Sequence, residues 1–375
     1  MLILLILSAL LSVVGCAALL RAGQESSRRY WQLTDVPQRF HIGHVPRLGG
    51  AAMLAACLAG WLWMVLSEPL FHVANSIAIP WRDALGYCAV AAIAAVTGLL
   101  EDLTHSVKPR WRMLGTGLAA LAAWALFGIA VPRVDIPGLQ HLFTAMPWLG
   151  VALALFAVAG LPHSINIIDG YNGLAGILTL ICCVAIAYVA LAVGDRELAG
   201  VMVVLAGATI GFLLWNYPHG LIFAGDGGAY LWGGVIALST VQLVQRHPQV
   251  SPWFPVLLLA YPIWETIFSI WRKRTMGRSP GLPDGLHLHH LIFRRVVRHV
   301  FHDDEARRML MRNNRTSPYL LAFVVVSAIP AMLFWRSTPL LITFCGLFVV
   351  TYLWAYYSIV RFRTRRWHRF LASRR

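Results

Sequence analysis

Four short segments of this chain carry acids, carboxamides and histidines in patterns that could act on an anionic substrate. Glu101 and Asp102 are adjacent acids, followed by Lys108, Arg110 and Arg112. Adjacent acids repel one another, which favours a bound cation beside them. Asn166, Asp169 and Asn172 recur every third residue, and on a helical turn they would share one face. Gly170, Gly173 and Gly176 would let a ligand approach the backbone closely. Asp226 sits in Gly225-Asp226-Gly227-Gly228, with no Lys or Arg in residues 217–226. It could simply cap the helix that follows. Oxygen ligands such as Asp226, Asp169 and Asn166 also suit Mg²⁺ or Mn²⁺, and the glycine-rich turn offers N–H groups to a phosphate. The fourth segment, Asp284-Gly285-Leu286-His287-Leu288-His289-His290, lacks the further ligands that zinc would need. It reads either as a solvated loop or, beside Arg278, Arg294 and Arg295, as a pocket for a diphosphate.

The elements that must position these residues are apolar. Hydrophobic residues make up 58% and charged residues 13% of 375, where a soluble domain carries about 25% charged residues. The composition implies an integral membrane protein. Windows of membrane-spanning length fall at 1–20, 49–67, 84–101, 113–131, 147–163, 174–193, 199–216, 227–245, 253–271, 318–335 and 338–360. The expected architecture is therefore all-α, with about eleven transmembrane helices forming one domain over 1–375. The first window resembles a lipoprotein signal at Val13-Val14-Gly15-Cys16, but no basic residue precedes it, so an uncleaved helix is expected. With alternating spans, 26 of the 31 Lys and Arg fall on one side. Basic residues gather in cytoplasmic loops, so the N-terminus is expected outside and the C-terminus in the cytoplasm. All four polar segments then open to the cytoplasm.

The net charge of +15 is explained by this bias, and no nucleic-acid-binding motif accompanies it. The six Cys lie in apolar segments without CxxC spacing and read as small core residues. The fifteen Trp suit interfacial belts.

Taken together, Pro46-Arg47-Leu48-Gly49-Gly50, the paired acids, Asn166-Ile-Ile-Asp169-Gly-Tyr-Asn172-Gly-Leu-Ala, Gly-Asp226-Gly-Gly and His287-Leu-His289-His290 resemble one superfamily. It is that of the polyprenyl-phosphate N-acetylhexosamine-1-phosphate transferases, of glycosyltransferase family 4 type. It includes enzymes that begin O-antigen and related polymers, and the likeness spans about residues 39–295. The chain differs from the usual pattern in having Glu101 for Asp, Asn172 for a second Asp, Gly285 for Arg and Glu265 for Asp. These differences bear on the substrate more than on the reaction.

The resemblance implies transfer of a HexNAc 1-phosphate, by default GlcNAc 1-phosphate, from a UDP-sugar to undecaprenyl phosphate in a bacterial inner membrane, with release of UMP. It implies catalytic roles for Asp102, Asp169 and Glu101. Substrate binding falls to Asn172, Arg110, Arg112, His287, His289 and His290, and Mg²⁺ or Mn²⁺ to Asn166 and Asp226. A homodimer is one expected assembly, and no nucleic-acid partner is expected. The competing reading is a secondary transporter of an anionic solute, which an internal repeat would favour; no repeat is evident.

Overall fold

The computed structural model describes residues 1–27, 45–71, 77–277 and 285–361. Arg278, Asp284 and the basic C-terminal tail lie outside the described residues. No strand occurs among the described residues. In lipid every backbone N–H and C=O must be satisfied within its own segment, and a helix does this.

The helices are α1 (Leu2–Ser27), α2 (Gly49–Phe71), α3 (Trp81–Thr104), α4 (Pro109–Phe127), α5 (Leu139–Ala145), α6 (Trp148–Ile168) and α7 (Leu174–Ala192). They continue with α8 (Arg196–Asn216), α9 (Gly225–Arg246), α10 (Trp253–Leu258), α11 (Ala260–Thr275), α12 (Leu288–Leu291), α13 (Glu305–Leu333) and α14 (Thr338–Val360). Among the described residues, nine helices are long and apolar enough to cross a membrane. The chain is a multi-pass membrane protein.

Two of the eleven expected windows are not among those nine helices. The 113–131 window corresponds to α4, which begins with Pro109, Arg110 and Arg112 and falls short of the apolarity of a span. The 253–271 window breaks at Leu259 into α10 and α11, between Pro255 and Pro262. A third difference concerns the segment 272–317, expected as a loop. It contains α12 and the first three turns of α13. Asp304 starts α13 by accepting from the Ala306 N–H at 2.9 Å, a local cap that apolarity alone does not reveal.

α9 lies at the centre of the bundle, packed against α2, α3, α4, α6, α7 and α8. Its small residues make that possible. A Cβ on Gly233 would meet Pro162 at 2.4 Å, and one on Gly50 would meet the backbone N of Gly228 at 2.2 Å. Small residues at helix contacts let backbones approach within a membrane. All six Cys are free, and four of them are buried.

The two ends of the bundle are both polar but differ in kind. At one end Arg133 donates to the carbonyls of Val244, Pro248 and Val250. There Asp195 also pairs with Arg246 and His247. These contacts tie loops to one another. The other end gathers the segments singled out above.

Candidate active site at the start of α9

Asp102 lies in the last turn of α3, and its carboxylate turns onto the start of α9. The backbone N–H groups of Asp226 and Gly227 donate to Asp102 Oδ1 and Oδ2, each at 2.9 Å. The first N–H groups of a helix have no partner within it, and Ala224 supplies no side-chain cap. Asp102 is thus the cap of α9, supplied from another helix. This corrects two expectations. Asp226 does not cap α9, and the N–H groups of the glycine-rich turn are engaged by a carboxylate rather than open to a phosphate. Two glycines permit the approach. A Cβ on Gly225 would meet Asp102 Oδ2 at 2.4 Å, and one on Gly98 would meet the Asp226 carbonyl carbon at 2.4 Å.

Hydrogen bonds between residues 46–50 and 223–224 hold the same turn. Phe223 N–H donates to Pro46 O, while Gly49 and Gly50 N–H donate to Phe223 O and Ala224 O, all at 2.9 Å. Glu101 turns away from α9. Its Oε2 accepts from the Val107 N–H at 2.7 Å and closes the turn between α3 and α4.

The Asp226 side chain is half-buried and held from two sides. Arg112 of α4 forms an ion pair with Oδ2, and Asn166 Nδ2 donates to Oδ1 at 2.8 Å. The cation missing near Asp226 in sequence therefore arrives from α4. Arg110 is not part of this group. It is exposed, with its guanidinium 5.6 Å from the Trp111 ring centroid.

Asn166, Asp169 and Asn172 do not share a helix face. α6 stops at Ile168, and Gly173 adopts φ 75°, a conformation that favours glycine. Asn166, on the last helical turn, faces Asp226. Asn172 turns the other way into α13. Its N–H donates to Asn313 Oδ1 at 2.8 Å and its Nδ2 to Asn314 Oδ1 at 3.0 Å, while its carbonyl accepts from Ser317 Oγ at 2.6 Å. Asn172 is 1% exposed. Asp169, at the end of α6, is half-buried. Its carboxyl is pushed up to about 7 by burial and by the carboxylates of Asp226 and Asp102, with Arg47 pulling the other way.

The three histidines form a buried cluster rather than a solvated loop. His287 and His289 stack with centroids 5.1 Å apart, and His290 meets His289 edge-on at 4.3 Å. Tyr171 Oη lies 3.2 Å from His290 Nδ1. The cluster abuts the Asp169 segment, since a Cβ on Gly170 would be 3.8 Å from His289 Nε2. Burial and the neighbouring His290 and His287 hold the His289 imidazole well below its ordinary pKa, so it is neutral. Of the arginines expected beside the histidines, Arg294 stays with their segment while Arg295 is engaged at α14. Arg294 donates to Gly285 O, and Arg295 to the carbonyls of Ile359 and Val360 at the end of α14.

The polar set on α13 (Asn313, Asn314, Ser317) and Asn216 of α8 had no assigned role from the sequence. Asn216 Oδ1 accepts from the Gly173 N–H at 2.8 Å, and its Nδ2 donates to Ile222 O at 2.8 Å. The available signal was an asparagine at the apolar end of α8 and an Asn-Asn pair just before an apolar window.

Comparison with known proteins bears on the same region. Residues 84–244 match glycosyl transferase family 4. The chain is 29% identical over 255 residues to a probable undecaprenyl-phosphate N-acetylglucosaminyl 1-phosphate transferase of Bacillus subtilis, covering 68% of this chain and 67% of the relative. It is 27% identical over 278 residues to an undecaprenyl-phosphate alpha-N-acetylglucosaminyl 1-phosphate transferase of Yersinia pestis, covering 70% of each. A Thermotoga maritima protein of that same name is 31% identical over 200 residues, 53% of this chain and 58% of the relative. The matched span contains the acids that meet around α9, and over it the chain is similar to glycosyl transferase family 4 and to enzymes named as undecaprenyl-phosphate N-acetylglucosaminyl 1-phosphate transferases.

Proposed function

We propose that this enzyme transfers an N-acetylhexosamine 1-phosphate, by default GlcNAc 1-phosphate, from a UDP-sugar to undecaprenyl phosphate. UMP is released and a lipid-linked envelope polysaccharide is begun. The observation that carries this reading is the meeting of Asp102, Asp169, Asp226, Asn166 and Arg112 at one end of the bundle. The relatives, named for transfer of N-acetylglucosamine 1-phosphate to undecaprenyl phosphate, support it.

The bond that forms joins an oxygen of the lipid phosphate to the phosphorus bearing the sugar. The bond that breaks is the anhydride to UMP, which leaves with the electron pair. Both reactants are anions, so catalysis is chiefly positioning and charge compensation. Asp169 forms no hydrogen bond to another described residue through its side chain and titrates near the working pH. It can accept the residual proton of a phosphate monoester, whose second pKa is about 6. Asp102 is less suited to that task, because both its oxygens accept from α9. Its part is to fix the turn that carries Asp226. Arg112 brings positive charge to the diphosphate.

No group of three His, Cys, Asp or Glu side chains forms a preassembled metal site among the described residues. Mg²⁺ commonly takes one or two protein carboxylates and completes its shell with substrate phosphates and water. Asp226 would supply one such carboxylate by giving up Arg112, and Asn166 its amide oxygen rather than the N–H₂ it turns to Asp226. A divalent cation held there would supply Lewis-acid polarisation of the diphosphate.

The bias of 26 of 31 basic residues to one side supports a bacterial inner membrane with this site in the cytoplasm. A transporter is disfavoured because its ionisable site lies near the membrane midplane, whereas these acids lie at helix ends. The deciding experiment measures UMP release by purified enzyme from a panel of UDP-sugars, with and without undecaprenyl phosphate. Release that needs the lipid and prefers one N-acetylhexosamine donor is expected. Lipid-independent release, or none with any donor, would overturn the reading.

A further inference from the structure

Glu265 is an acid of α11 with no exposed surface, and the reaction above gives it no part. It lies outside the family-matched residues 84–244. A buried carboxylate is costly unless donors surround it. Here His287 Nδ1 lies 2.8 Å from Oε1, the Leu288 N–H donates to Oε1 at 3.2 Å, and Tyr352 Oη donates to Oε2 at 2.6 Å. Donors to a carboxylate favour its ionised form. An ionised carboxylate has no hydrogen to give, so His287 Nδ1 is the donor and the tautomer of the ring is fixed.

The C-terminal helix completes the arrangement. Tyr352 and Tyr356 lie one turn apart on α14. Tyr356 Oη donates to Leu286 O at 3.2 Å and accepts from Arg272 at 3.1 Å. α14 therefore grips both Glu265 and the backbone just before His287.

His289 shows where this leads. Its Nδ1 is buried with no hydrogen-bond partner among the described residues, so no bond from them at that nitrogen orients the ring. The rings around it do, above all His287, stacked at 5.1 Å with planes 5° apart. The Nε2 edge of His289 meets Gly170, next to Asp169. We propose that Glu265, braced by Tyr352, is a positioning residue that sets the His287 tautomer and, through the stacked rings, aims His289 at the site beside Asp169. This rests on the transferase reading for its effect on rate, but not for the tautomer itself.

Two measurements test it. The first is the turnover of Glu265→Gln, which keeps the volume and removes the charge. Its kcat should fall about tenfold, the scale at which carboxylates that orient a functional imidazole act. The KM for the lipid should be unchanged, and the variant should stay folded at the assay temperature even if its thermal midpoint falls. Tyr352→Phe should lose a few-fold, and Glu265→Asp should recover part of the loss. His287→Ala alone and combined with Glu265→Gln should be equally impaired, because one residue acts through the other. Multiplying losses, or a Glu265→Gln enzyme with full kcat, would overturn the proposal. The second is the ¹⁵N shift of His287 in the detergent-solubilised full chain. Hydrogen on Nδ1, lost or mixed in Glu265→Gln, is expected; hydrogen on Nε2 alone in the unmodified protein would overturn it. If the unmodified enzyme releases no UMP, the transferase reading falls while the ¹⁵N result still decides the tautomer.

Discussion

Asp169 carries its charge only above a pH of about 7, since burial and the Asp226 and Asp102 carboxylates all oppose ionisation. If its ionised form takes the proton from the lipid phosphate, activity rises with pH through about 7 and is lost on the acid side. Asp169→Asn should abolish that limb along with most activity, as a pH–rate profile will show. Asp102 and Glu101 are adjacent but differ in what they hold. Asp102→Asn places an amide N–H₂ against a backbone N–H of α9, leaving a buried donor unmet at a cost of about 1–3 kcal/mol. Glu101→Gln keeps an acceptor for Val107. Asp102→Asn should therefore lower both kcat and the unfolding midpoint, and Glu101→Gln neither by much; the reverse ranking would reassign the pair. Removing divalent cations with a chelator should stop UMP release, and Mg²⁺ or Mn²⁺ should restore it, with Asp226→Asn insensitive to either. Residue types were legible in the sequence because acids are scarce in so apolar a chain and three histidines cluster at 287–290. Their partners were not, because the cap of α9 comes from 124 residues away.

At the scale of elements, close contact between α3 and α9 sets the position of Asp226. Gly98 is the contact: its added Cβ would strike the backbone of Asp226 and Gly227 at 2.4 Å, atoms that cannot swing aside. Gly98→Ala should destabilise the protein by about 1–3 kcal/mol or more through overpacking and lower activity. Gly117, inside α4, has nothing within 4 Å of an added Cβ. Gly117→Ala should be neutral or add about 0.5–1 kcal/mol by reducing backbone entropy in the unfolded chain. Thermal unfolding of the two variants separates the cases. Helix positions were legible from apolar runs, since lipid admits little else. The break between α10 and α11 was signalled by Pro255 and Pro262, but the early start of α13 was not legible, because a local cap at Asp304 sets it.

The whole molecule presents broad apolar flanks and two polar ends, and the charge bias assigns the ends to sides. The histidines, buried as they are, make poor targets for a labelling reagent. Phe301, 83% exposed between α12 and α13, is better placed. Phe301→Cys should react with an impermeant thiol reagent only in inverted membranes. Reaction from outside intact cells would reverse the topology and remove the UDP-sugar from reach. The end-to-end grouping of motifs was legible from span counting, but not the inward turn of Asn172 toward α13, which depends on a chain reversal at Gly173. The bond between Asp102 and the start of α9 also has a consequence for biosynthesis. At about 5–20 residues per second, the ribosome needs some 6–25 s after making Asp102 to reach the N–H groups that satisfy it. Asn172 waits still longer for Asn313, 141 residues on. The site is therefore finished late in synthesis, and a chain released before residue 225 would carry its acids into the membrane edge without the donors that hold them.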